Sequence, residues 1–183
     1  MGKTVQEFLK DNKNLLINND VGRLYELAGD ESNWNDLIPG ITVFLYENGV
    51  SPFDYVDFVP EWAFTNLDIL KFPIVNNGTL VFPDNVAGIA TGAFSWAAGF
   101  CTVDLRGIQY INRTAFFSSS VKNLIFDDKI RMTNISMTAF DKCTIERILF
   151  PKDSFDQMVE AFKSSTVYET SDIEFRKVKF EYY

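Results

Sequence analysis

Histidine is absent from this chain of 183 residues. Its absence removes Ser–His and Cys–His nucleophile pairs and histidine-based metal sites in one step, and leaves carboxylate and lysine chemistry open. Cysteine is scarce, with only Cys101 and Cys143. One pair builds no disulfide framework, and both thiols are expected to be reduced and buried. No run of about 18 apolar residues occurs, so no transmembrane helix is expected. The segment Met1-Gly2-Lys3-Thr4-Val5-Gln6-Glu7-Phe8 lacks an apolar signal-peptide core, and Gln6 stands where a myristoylation pattern needs Ser or Thr. The expected location is therefore the cytoplasm, with no membrane contact and no cofactor.

A basic stripe is also missing. The net charge is −8. Residues 1–60 carry 10 acidic and 4 basic side chains, residues 61–153 carry 9 of each, and residues 154–183 carry 6 and 4. Direct nucleic-acid binding, which needs phosphate neutralisation, is not expected. The acidic first third reads as a solvated helical surface; the sharper alternative is a face that meets a basic partner.

Several motifs fail on context. Gly2-Lys3-Thr4 looks like the end of a phosphate-binding loop, but no strand or first glycine precedes it. Asn77-Gly78-Thr79, Asn112-Arg113-Thr114 and Asn134-Ile135-Ser136 match a glycosylation acceptor by chance. Asp127, Asp128 and Asp153 read as turn formers, since nothing sets two carboxylates across a pocket.

What the chain has is phenylalanine, 18 of them, regularly placed. Ala-Phe recurs at Ala63-Phe64, Ala93-Phe94, Ala115-Phe116 and Ala139-Phe140. A β-branched residue precedes each at one offset: Val59, Ile89, Ile111 and Ile135. Downstream, Ile69, Phe72 and Ile74 follow Phe64 at the offsets where Val121, Leu124 and Phe126 follow Phe116 and Ile145, Ile148 and Phe150 follow Phe140. The second unit is one residue longer, with Phe100, Val103 and Leu105. Apolar positions one residue apart mark a half-buried strand. A unit of this size cannot bury its own apolar face, so the units are expected to stack as a solenoid. Between the first two, Asn76-Asn77-Gly78 signals a turn, and Leu80-Val81-Phe82 completes an inserted hairpin.

Residues 59–151 resemble the BspA-type leucine-rich repeats of bacterial and phage proteins, with units of the form I-x-x-x-A-F-x-x-C-x-x-L-x-x-I-x-I-P. Cys143, three residues after Phe140, falls on the cysteine position, and Pro151 on the proline position. The strand offsets are shorter than in that pattern, and only one cysteine is in place. The N-terminal region, with Glu7-Phe8-Leu9, Asn18-Asn19-Asp20, Leu24-Tyr25 and Gly49 to Tyr55, is similar to the helical leader of short phage-encoded members. The resemblance implies a fold and a habit of binding proteins, not a reaction.

The expected fold class is α+β: a short solenoid of about four repeats (59–153), a helical N-terminal cap (1–58) and a C-terminal helix and strand cap (154–183). Thr4 to Glu7 fits a capping box, with Phe8, Leu9, Leu15, Leu16 and Ile17 on an apolar face. Asp20 is placed to cap a second helix. A third runs from about Asp36 to Glu47, and Ser51-Pro52 opens another short one. Ser154 is expected to cap a helix containing Phe162, and the alternating tail from Ile173 to Tyr183 reads as a strand with a bulge near Lys177. Its expected role is to close the last repeat; the alternative is an edge that pairs with a second copy as a homodimer.

Strand alternation also predicts a solvent face: Lys71 and Pro73, Thr102 and Asp104, Asn123 and Ile125, Arg147 and Leu149. Ile125 and Leu149 are apolar neighbours on it. Either a terminal element covers them or they form a contact patch with Lys71, Asp104, Asn123 and Arg147 around them. Three functions compete. The first is a non-catalytic protein that binds a bacterial host protein, such as a phage-encoded inhibitor that occludes a defence nuclease in the manner of an anti-CRISPR. The second is an acidic nucleic-acid mimic, and the third an enzyme using carboxylates and lysine.

Overall fold

A computed structural model describes residues 2–53, 56–170 and 173–183, and of Thr170 and Arg176 the backbone alone. Four helices come first: α1 (Val5–Asp11), α2 (Lys13–Ile17), α3 (Val21–Gly29) and α4 (Trp34–Glu47). Thr4 and Glu7 form the expected capping box, and Asp20 accepts the Arg23 N–H at the start of α3. The apolar face from Phe8 to Ile17 is not continuous. Asn12 turns its amide onto the Phe8 carbonyl, α2 starts afresh, and Ile17 is left exposed. The short helix expected at Ser51-Pro52 is a turn over Pro52 and Phe53, in which Ser51 Oγ accepts the Phe53 N–H; Asp54 and Tyr55 lie outside the described residues.

The repeats then wind through two ladders. The first is parallel: β1 (Phe58–Val59), β4 (Gly88–Ile89) and β6 (Tyr110–Ile111), extended by a bridge from Ile111 to Ile135. Its inward column is the β-branched series Val59, Ile89, Ile111 and Ile135, all buried. The second contains the hairpin β2 (Val75–Asn76) and β3 (Thr79–Leu80), then β5 (Thr102–Asp104), β7 (Asn123–Ile125), β8 (Arg147–Phe150) and β9 (Lys179–Tyr182). Asn77 and Gly78 turn the hairpin, both at positive φ. From β3 onward all pairings are parallel, and Leu80, Val103, Leu124, Ile148 and Phe180 share one register row.

One expectation about the first unit is overturned here. Phe72 and Ile74 do not supply its strand; Leu80 does, by pairing with Val103. Residues 70–74 leave the stack as turns, so that Phe72 packs on Tyr46 and edge-on against Phe64. Lys71 and Pro73 therefore lie off the strand face. The Lys71 carbonyl accepts a 2.6 Å bond from the Tyr46 hydroxyl.

Between the ladders stand the Ala-Phe turns. Phe64, Phe94, Phe116 and Phe140 are fully buried and stack nearly parallel, with successive centroids 4.8, 5.2 and 5.3 Å apart. The backbone repeats in step: Phe64 N–H donates to the Ala93 carbonyl, Phe94 to Ala115 and Phe116 to Ala139. Two residues after each phenylalanine the chain enters the left-handed region, at Asn66, Trp96, Ser118 and Lys142.

A stack leaves its first carbonyl without a donor, because no unit precedes it. Here α4 supplies one. Buried Thr42 donates its hydroxyl to the Ala63 carbonyl at 2.5 Å and accepts a 2.6 Å bond from Tyr25 of α3. Burial raises the Tyr25 pKa, keeping the phenol in its donating form. At the other end, α5 (Phe155–Lys163) and α6 (Thr166–Thr170) lead to β9. Ser154 stands at the α5 start but makes no capping bond. Phe162 is fully buried against Phe126, Phe150, Phe175 and Phe180. The expected bulged strand from Ile173 is instead a 3₁₀ turn at Phe175–Lys177 followed by β9, which pairs with β8 over four residues. The tail adds the last rung to the second ladder.

Thr42→Val keeps the shape of the side chain but orphans the Ala63 carbonyl and the Tyr25 hydroxyl. The expected loss is about 1–3 kcal/mol by denaturant titration. A loss indistinguishable from zero would show that Thr42 does not complete the ladder.

Candidate functional site

A broad concavity lies where the helical cap meets the first unit. It is a groove of about 790 Å³ between α3, the start of α4 and β1 with its following turn. Its walls are aromatic: Tyr25, Trp34, Phe58 and Trp62. Trp34 and Phe58 are exposed, and Trp62 is half-buried. Phe58 precedes the inward-facing Val59, so alternation turns it outward. In the next unit its register partner is Gly88, and four residues on from Gly88 stands Gly92. A Cβ at Gly88 would sit 2.2 Å from the Phe58 ring, and one at Gly92 2.1 Å from the Trp62 ring. The two missing side chains let both rings fold over the backbone of the second unit. Phe58 reaches Tyr110 across Gly88, at 5.9 Å, and Trp62 meets Trp34 at 5.2 Å.

Four carboxylates also line the groove, Glu26 and Asp30 from the cap and Asp57 and Glu61 from the first unit, with no lysine or arginine among the described lining. Glu26 pairs with Arg23 along α3. Chemically, this arrangement offers flat π faces and negative charge, the two features that hold an organic cation. Among the described residues, no group of three histidine, cysteine or acidic side chains is arranged to hold a metal ion.

The predicted solvent face of the second ladder is present from β5 to β9. Ile125 and Leu149 are register partners and both half-buried. Around them the polar residues hold one another. Asp104 forms an ion pair with Arg106, whose Nε lies 2.8 Å from its carboxylate. Asn123 donates to the Thr102 hydroxyl, while its own carbonyl oxygen is buried and unpaired. Arg147 binds Glu181 of β9, 3.0 Å from its Nε. That hydrogen bond holds the Glu181 pKa down and raises that of Arg147. Of the residues expected on this face, Lys71 and Pro73 are elsewhere. Glu181 belongs to the face and was not foreseen, because its place depends on the parallel pairing of β9. The thiols divide: Cys143 is buried and donates to the Phe116 carbonyl at 2.9 Å, whereas Cys101 is exposed, at the loop just before β5. Asp127 acts as a turn former, accepting the N–H groups of Gly107 and Lys129.

The BspA type leucine-rich repeat region matches residues 54–169 in six copies. The chain belongs to the BspA-type leucine-rich-repeat family. No curated protein and no solved structure matches it. Repeats of this kind commonly mediate protein–protein interaction, and the family is generally non-enzymatic. Among the described residues, no helix is long and apolar enough to cross a membrane. Six copies exceed the four units counted from Ala-Phe pairs, and the matched stretch runs beyond Pro151 into α5 and α6.

Gly92 is the residue on which the groove wall depends most directly. At φ +64° an alanine adds strain, and its methyl would displace the Trp62 ring. Gly92→Ala is expected to cost about 1–2 kcal/mol from the left-handed backbone alone and to shift the tryptophan emission. Unchanged emission would place Trp62 off the second unit.

Proposed function

We propose that this chain is a non-catalytic binding protein that docks on a partner protein through the face of its second ladder. The observation that carries the reading is the register pair Ile125 and Leu149. An apolar centre is framed by Asp104, Asn123, Arg147 and Glu181 on a rigid parallel sheet. An apolar centre within a polar rim is the usual anatomy of a protein interface, and repeat stacks display extended surfaces of this sort. Intramolecular ion pairs hold the rim residues in place, which lowers the ordering cost of binding. The narrower reading is an inhibitor encoded by a phage, acting in the bacterial cytoplasm by occluding a host defence protein. It is supported by the resemblance of the helical leader to short phage members of the family.

The test is affinity capture from a bacterial lysate with the unaltered chain and with an Ile125→Gln, Leu149→Gln double variant. The unaltered chain should retain a stoichiometric protein, and the variant should lose it at least tenfold, a change of about 1.4 kcal/mol, with its thermal unfolding unchanged. Equal recovery by both would move the interface off this face. No partner above background in either would overturn the binding reading.

A further inference from the structure

The groove between the helical cap and the first unit is separate from the strand face, and its chemistry is different. Its walls include Trp34, Phe58 and Trp62. Ordinarily an aromatic wall would be closed over by a neighbouring side chain. Here the second unit has glycine at both facing positions, so Phe58 and Trp62 lie over its backbone, with Phe58 and Trp34 exposed and Trp62 half-buried. The side-chain carboxylates of Asp30 on the cap side and of Asp57 and Glu61 on the repeat side form no hydrogen bond or ion pair among the described residues.

We infer that this groove binds an arginine-bearing basic segment of a partner protein, its guanidinium stacked on the Trp34–Trp62 wall and bonded to Asp57 or Glu61. Charge complementarity selects this occupant. An apolar helix laid in the groove would bury carboxylates without partners, which is strongly unfavourable. A nucleic-acid backbone is repelled by them. A cation is drawn both by the π faces and by the carboxylates, and clefts of about 300–1,000 Å³ suit a ligand larger than one side chain. Arginine fits better than lysine because its planar group stacks on rings and bonds a carboxylate with two N–H groups at once, whereas an ammonium is compact and strongly hydrated. The site does not depend on the strand face and stands or falls separately from it.

The experiment uses the full chain with fluorescein-labelled hexa-arginine, hexalysine and hexaglutamate peptides, and measures anisotropy together with tryptophan emission. Hexa-arginine should bind, weaken with added salt and perturb the emission, and hexaglutamate should not bind. Asp57→Asn with Glu61→Gln should weaken hexa-arginine at least tenfold; both positions are exposed, so the fold is expected to survive. A control pair with the same charge change far from the groove, Asp128→Asn with Asp153→Asn, should change it less than twofold. The Ile125→Gln, Leu149→Gln variant should bind the peptide as the unaltered chain does. Equal weakening by the groove and control pairs would reduce the effect to net charge and overturn the site. Equal binding of hexalysine would overturn the assignment to arginine. Unperturbed tryptophan emission at saturation would place the peptide away from Trp34 and Trp62.

Discussion

The stacking of Phe64, Phe94, Phe116 and Phe140 sets the geometry that everything else follows. Ring spacings of 4.8 to 5.3 Å match the spacing of hydrogen-bonded strands. One rise per unit therefore satisfies both the ring column and the backbone bonds beside it. Alanine before each ring leaves the backbone close enough for the Phe N–H to reach the next Ala carbonyl. A larger residue at that point would open the rung, and a non-aromatic one after it would thin the column. The ladders on either side inherit the same rise, which is why Val59 to Ile135 and Leu80 to Phe180 form straight inward columns.

A stack of this kind has two open ends, and the chain closes them by different means. At the first, a side-chain hydroxyl stands in for a missing backbone donor: Thr42 meets Ala63 where a preceding Phe N–H would. At the last, the chain supplies real backbone to the second ladder beside the column, with β9 pairing onto β8 and Phe180 stacking on Phe150. The difference follows from what each end offers. A helix has no free N–H row along its flank and must use a side chain, whereas a tail in extended conformation carries its own ladder of donors.

The inward half of the structure was legible from the sequence because it repeats. Ala-Phe, the β-branched residue four positions before Ala, and the alternating pair downstream all landed in the columns their spacing predicted. The exceptions arise where a local choice overrides the period. Phe72 and Ile74 keep the offsets of strand residues, yet the Asn77-Gly78 turn makes a hairpin whose second strand takes the rung, and Phe72 is released to stack on Tyr46. Offsets alone cannot show which of two apolar pairs occupies a rung. Likewise the alternation from Ile173 to Tyr183 runs across a 3₁₀ turn, because the tail must turn before it can pair in parallel with β8. Glu181 was missed for that reason, since the pairing partner of β9 is set by this turn. The groove was missed for a different one. Trp34, Phe58 and Trp62 share no sequence period, and their convergence with Asp57 and Glu61 depends on how α3 and α4 dock against the first unit. The one signal available was the pair of glycines, Gly88 and Gly92, each facing an aromatic residue one unit earlier.

That signal has a general physical content. In a stacked repeat the inward positions carry the stability, so outward positions are free to change without unmaking the fold. An outward aromatic residue beside a glycine in the next unit can lay its ring on that backbone, where a side chain would have pushed it away. Phe58 above Gly88 and Trp62 above Gly92 do this twice within one turn of the solenoid, beside the most acidic third of the chain. The near-neutral repeats then carry an apolar patch on the second ladder, and the acidic end carries an aromatic-walled groove beside the first. The two surfaces differ in what they can hold because one is built from paired charges around an aliphatic centre and the other from carboxylates, only Glu26 of them paired among the described residues, around aromatic walls. Salt should separate them, screening the second while leaving the aliphatic contact of the first largely intact.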